Sequence, residues 1–157
     1  MSCERLIIDG YSLIHRDPEL KRIVRENLRK AREMLIEKVS RTATGMADHV
    51  TIVFDGQQNS GVDNDGSRSI EILYSSSGQT ADTVIERLVQ RARNPSAWMV
   101  VTNDRRERET VMATGVQTMS CAVFIEESSR MQQQHAQSIR RQKAKQPGPK
   151  LGDFFPK

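Results

Sequence analysis

Cysteine is nearly absent from this chain, and its two thiols, Cys3 and Cys121, stand far apart. Neither belongs to a CxxC pair or has a His at ligand spacing, so a zinc site and a disulfide framework are both weak readings and a reducing interior is expected. Aromatic residues make up 4% and apolar residues 36%, against 28% charged, which points to one modest core with a strongly polar extension. No apolar run approaches the roughly 18 residues of a membrane span, and the N-terminus enters strand composition too soon for a secretory signal. A cytoplasmic protein with no membrane partner is expected. The 157 residues suffice for one domain, which would bury roughly 70% of the surface its unfolded chain exposes.

What the chain does carry is charge, unevenly placed. Its net +4 divides into +5 on the terminal segment, from Arg140, Arg141, Lys143, Lys145, Lys150 and Lys157 against Asp153, and −1 on everything before it. A basic arm of that kind binds polyanions by releasing condensed counterions, and equally commonly serves solubility. Arg25, Arg29 and Arg32 add a second candidate nucleic-acid contact, opposite a leucine stripe, where a solvated helix face is the commoner explanation.

Strand and helix patterns alternate. Arg5 to Asp9, His49 to Phe54, Ser69 to Tyr74, Trp98 to Val101 and part of Val116 to Phe124 have strand composition. Gly10 permits a tight exit from the first. Leu20, Val24, Leu28, Ala31, Leu35 and Val39 recur at helical spacing, so one long helix is expected from Glu19 to about Thr44. Further helices are expected from Ala81 to about Arg93, capped by Thr80, and from Arg105 to about Thr114, ended by Gly115. A polar loop follows Asp55-Gly56. Ile125 to Lys145 reads as a polar surface helix fraying into a basic, disordered tail, whose Leu151, Phe154 and Phe155 form either a docking peptide or a fold-back contact. This order predicts an α/β fold, a parallel sheet with helices on both faces.

Four aspartates fall at one edge of such a sheet. Asp9, Asp55 and Asp104 follow apolar runs, and Asp82 opens a helix. Singly, each is no better than a cap or loop residue. Together they lie where parallel sheets bind ligands, and carboxylates about 5 Å apart repel by roughly 3 kcal/mol at an effective dielectric near 20. A hard divalent cation, Mg2+ or Mn2+, is the natural counterion, and in phosphate chemistry it polarises the phosphoryl group and activates water. Glu86, four residues after Asp82, is a further ligand candidate or an exposed partner of Arg87 or Gln90. Ser12 and Asn103 are candidates for positioning substrate or a water, or simply shape their turns. His15, His49 and His135 have no evident partner.

The stretches LIIDGYSLI, VTIVFDG, QTADTVIERL and VVTND, in that order between Arg5 and Glu127, resemble the YacP-like NYN domains of bacteria, which belong to the PIN-like nucleases. The resemblance implies a PIN-like three-layer α/β/α sandwich over residues 1–127, with 128–157 as polar helix and tail outside it. It also implies a metal-dependent ribonuclease whose acidic site falls on Asp9, Asp55, Asp82 and Asp104, with Glu86 beside them. Ser12 stands where the family usually has Asn, and Asn103 where it usually has Ser.

The expected activity is endoribonucleolytic hydrolysis of RNA with Mg2+ or Mn2+. The competing expectation is an RNA-binding or ribosome-associated adaptor that keeps the fold, recruits a partner through its tail and hydrolyses little. A phosphoacceptor receiver domain would need a Lys after its last strand, and residues 117–127 contain none.

Overall fold

Leu6, Ile7 and Ile8 are all buried, as a strand covered on both faces requires. They lie in β1 (Cys3–Asp9), the middle strand of a sheet ordered β3-β2-β1-β4-β5, with β2 at Ala47–Phe54, β3 at Ile70–Tyr74, β4 at Trp98–Val101 and β5 at Gln117–Met119. The computed structural model describes residues 3–56 and 70–145, and among these every strand pairing is parallel. Ile8 lies opposite Ile52 on one side and Val101 on the other.

The strand period of two sorts the core into two layers. On one face Leu6, Ile8, Val50, Ile52, Phe54, Met99 and Val101 pack against α1 (Gly10–Arg16), α2 (Pro18–Val24), α3 (Leu28–Thr42) and the start of α6 (Cys121–Lys145). On the other, Ile7, Val53, Trp98 and Val100 pack against α4 (Ala81–Gln90) and α5 (Arg105–Met112). The result is the expected three-layer α/β sandwich. Chain order runs leftward from β1 to β2 over the first face, and rightward from β3 to β4 to β5 over the second. The strand order reverses between β1 and β4, so a crevice opens beyond their carboxyl ends, where sheets of this kind bind ligands.

Several local expectations need correction. The single long helix is two helices, because Asn27 adopts extended backbone and caps α3 by accepting from Lys30 N. Pro18 begins α2, where Asp17 accepts from the amides of Glu19 and Leu20. Leu28, part of the expected stripe, is therefore exposed. Gly10 does not simply release β1: it opens α1, a seven-residue helix too short for its periodicity to show in sequence. A β-carbon on Gly10 would come within 2.5 Å of the Phe54 ring, so a side chain there would have to displace that ring. The last strand is three residues long, and Phe124 is instead a buried residue of α6. Gly115, at φ +94°, makes the turn between α5 and β5.

α6 passes through residue 127 without interruption and packs on α1 and α3. The polar loop 57–69 and the tail 146–157, with Lys150, Leu151, Phe154, Phe155 and Lys157, lie outside the described residues. Among the described residues no helix is long and apolar enough to cross a membrane, and Cys3 and Cys121 are free thiols.

Candidate metal centre

Asp9 sits at the last position of β1, held there by pairing on both sides of the strand. It occupies the N-cap position of α1, yet its carboxylate caps nothing. Asp9 Oδ2 instead accepts from Ser12 Oγ at 2.9 Å and lies 3.2 Å from Thr102 Oγ1. Asp82 comes from the first turn of α4, which Thr80 caps by accepting from Thr83 N.

The third carboxylate, Glu107 on α5, was not a sequence candidate. Asp9, Asp82 and Glu107 each contribute an oxygen, and these three oxygens lie within 4.8 Å of one another. Its local chemistry explains why it points inward. Asp104 caps α5 by accepting from the amides of Arg106 and Glu107. In an ordinary capping box the acidic residue three positions later would reach back to the amide of the cap. Here Thr102 Oγ1 already accepts from Asp104 N, at 3.1 Å. Glu107 is thus released to turn into the core, where it is 2% exposed. The D-x-x-E spacing from Asp104 to Glu107 was the available signal.

Electrostatics in this cluster are severe. Burial pushes Glu107 from its ordinary 4.5 up to about 9, with Asp82 and the charge of Asp9 adding to the effect. Asp82 is also raised, chiefly by burial and further by the charges of Asp9 and Asp104, while Glu107 acts in the opposite direction. Thr102 Oγ1 lies 3.0 Å from Glu107 Oε2 as well as 3.2 Å from Asp9. One hydroxyl proton serves only one carboxylate at a time, so the cluster must hold either a proton, on Glu107, or a positive charge. Glu107 Oε1 is buried without a hydrogen-bond partner. Three hard oxygens this close together match what Mg2+ or Mn2+ takes as ligands. The nearby Cys121 thiol is pushed up to about 12 by burial and then by Asp9 and Glu107, so it stays protonated.

The remaining sequence candidates take different places. Asp55 is exposed and accepts from Ser75 Oγ at 3.1 Å; it lines the same cavity of about 380 Å3 as Asp9 and Asp82 but lies outside the three-oxygen cluster. Asp104 is likewise outside the cluster, with one oxygen occupied in capping α5, although its charge acts on Asp82. Glu86, one turn further along α4, lines neither the cavity nor the cluster. Ser12 and Asn103 both line the cavity; Asn103 Oδ1 accepts from Cys121 N and so ties the loop after β4 to the start of α6.

The expected arginine face does not form. Arg25 ends α2, Arg29 pairs with Glu33 on α3, and Arg32 is buried, donating to Tyr11 Oη at 3.1 Å with its guanidinium 5.8 Å from the Tyr74 ring centroid. Arg32 is therefore structural support beneath the cavity rather than a surface cation. Arg140 and Arg141 and Lys143 are exposed near the end of α6, whose last residue is Lys145.

Comparison with known proteins agrees with this architecture. The family model of the YacP-like NYN domain matches residues 6–153, a wider span than the motifs themselves. The chain belongs to that family. The family is nuclease-like, of the PIN-like kind. "Uncharacterized protein YacP" of Bacillus subtilis (strain 168) is 25% identical over 148 residues, covering 93% of this chain and 87% of its own length. The crystal structure of Rae1 (YacP) from Bacillus subtilis superposes with a TM-score of 0.73 at 26% identity, over 95% of this chain and 87% of that one. A mutant form of the same protein gives 0.73 over 90% and 84%.

Proposed function

We propose that this protein is an endoribonuclease that hydrolyses RNA phosphodiester bonds with Mg2+ or Mn2+. The observation that carries this reading is the trio of Asp9, Asp82 and Glu107 oxygens within 4.8 Å, at the crevice of a nuclease-like fold. Those three residues would hold the ion, which when bound polarises a phosphoryl oxygen and lowers the pKa of water. Ser12 and Thr102 orient the Asp9 carboxylate toward it. Asp55 on the cavity wall and Asp104, whose charge reaches Asp82, make the surroundings acidic, so a phosphodiester enters only when a cation offsets that charge. Asn103, on the same wall, is fixed by its bond to Cys121 N and keeps its amide near the substrate path. Polyanion affinity away from the site falls to Arg140, Arg141 and Lys143. RNA as the nucleic acid, and a tail that recruits the ribosome or another protein, follow from the family resemblance and from the basic terminal segment.

Purified protein incubated with a single-stranded RNA oligonucleotide should cleave it with Mn2+ or Mg2+ and stop on chelation, with matched DNA as the comparison. Asp9→Asn and Asp82→Asn should each lose at least the roughly 10–100-fold that removing a supporting partner of a metal ligand costs. Undiminished cleavage by both variants would sink the mechanism. RNA bound equally well with chelator, and never cut on long incubation, would instead support the adaptor.

A further inference from the structure

The cavity beside the carboxylates has basic residues for which the metal chemistry has no use. Tyr11, Ser12, His15 and Arg16, all on α1, line it together with Asp9, Asp55, Asp82 and Asn103. His15 and Arg16 are exposed, and neither has an ion pair or hydrogen-bond partner among the described residues. Some basic residues on this layer are paired, Arg29 with Glu33, Lys38 with Asp17 and Glu19, Arg41 with Glu37, while Lys21, Arg22 and Arg25 are exposed without a partner among the described residues but line no carboxylate cavity. Arg16 thus stands in a cavity lined by carboxylates without bonding to any of them, and among the described residues none accepts from its guanidinium. A guanidinium in that condition matches a phosphate, which it can grip with two parallel hydrogen bonds.

The position of the pair narrows what it would hold. Asp9, which is buried, and half-buried Asp82 line the inner part of the cavity, and Arg16 is at its exposed side. A cavity of about 380 Å3 lies at the small end of the roughly 300–1,000 Å3 typical of ligand sites. It has room for about one nucleotide unit. Resting on the nuclease reading above, we propose that Arg16, with His15 beside it, is a phosphate subsite that positions the nucleotide next to the scissile bond. The bland alternative is that both residues only complement the carboxyl end of α1, where a cation is favoured by the helix dipole. That role would affect stability and leave RNA binding unchanged.

The experiment measures binding of a labelled single-stranded RNA across a salt series, with Ca2+ replacing Mg2+ so that binding is read without relying on turnover. Arg16→Ala should weaken binding about tenfold, the value of one hydrogen-bonded charge contact. Its plot of log affinity against log salt should be shallower by about 0.7, the value for one phosphate contact on a single strand. Arg16→Lys should keep the salt slope and lose part of the affinity. Arg22→Ala, an exposed arginine on α2 outside the cavity, should change neither. In turnover with Mn2+, Arg16→Ala should raise KM by the same factor with kcat nearly unchanged. An Arg16→Ala slope and affinity equal to wild type, or a loss matched by Arg22→Ala, would overturn the subsite. A wild type that binds RNA with these Arg16 effects yet never cleaves would overturn the nuclease reading and keep the subsite, whereas no RNA binding at all would overturn both.

Discussion

Glu107→Gln should make the metal-free protein more stable, by an amount that grows with pH. Carboxylate oxygens in this cluster lie within 4.8 Å of one another, and two charges at that outer limit repel by about 3.5 kcal/mol at an effective dielectric near 20. Three ionised groups at that spacing would consume much of the roughly 5–15 kcal/mol by which a domain is stable. The folded protein avoids this by keeping Glu107 protonated up to about pH 9, whereas the unfolded chain ionises it near 4.5. The folded state therefore binds the extra proton. Below pH 4.5 both states hold it and there is no penalty; between 4.5 and 9 stability falls by about 1.4 kcal/mol per pH unit, and above 9 the loss levels off. At pH 7 that amounts to about 3 kcal/mol and at pH 8 to about 5. A glutamine fills the same space, presents a donor to Asp82 and needs no proton.

Thermal melts in chelator should accordingly place Glu107→Gln roughly 6–12 °C above wild type at pH 7, at about 2–4 °C per kcal/mol for a chain of this size. The gap should be nearly closed at pH 5. Mn2+ should shrink the gap to little or nothing at pH 7, because an ion at 100 times its dissociation constant stabilises wild type by about 2.7 kcal/mol and the variant has lost one charged ligand. A variant no more stable than wild type at pH 8 in chelator, or a gap that does not change between pH 5 and 8, would refute the account of the cluster.

Two further substitutions test the supports of the site. Thr102→Val keeps the shape and deletes the hydroxyl that the Asp104 amide, Asp9 and Glu107 share; urea denaturation should show a loss of about 1–3 kcal/mol, with Thr102→Ser recovering most of it. Gly10→Ala drives a methyl group into the Phe54 ring, which packs between Tyr11 and Tyr74, and should cost about 1–3 kcal/mol by overpacking. Because Gly10 follows Asp9, the Mn2+-induced rise in melting temperature should shrink as well; a full rise would show that Asp9 is insulated from that strain.

The architecture was legible because its signals are local. Three consecutive aliphatic residues in β1, the Thr80 cap before α4 and Gly115 after α5 each state an element through nearby chemistry, and their alternation implies a parallel sheet. The long-helix expectation failed because Asn27 caps α3 after only a short helix, and the apolar spacing carried through the break without revealing it. α1 was missed because seven residues hold too little periodicity.

The carboxylate site divides along the same line. By itself the sequence determined that Asp9, Asp82 and Asp104 stand at strand ends and helix starts on one sheet edge, since those positions follow from local patterns. Only the tertiary structure decided which carboxylates close on each other. It drew in Glu107, because Thr102, from the loop after β4, occupies the amide that Glu107 would otherwise cap. It left Asp55 on the cavity wall and Asp104 at its cap, and it buried Arg32 against Tyr11 and Tyr74. Those outcomes depend on distances between segments far apart in the chain, which spacing along a sequence does not encode.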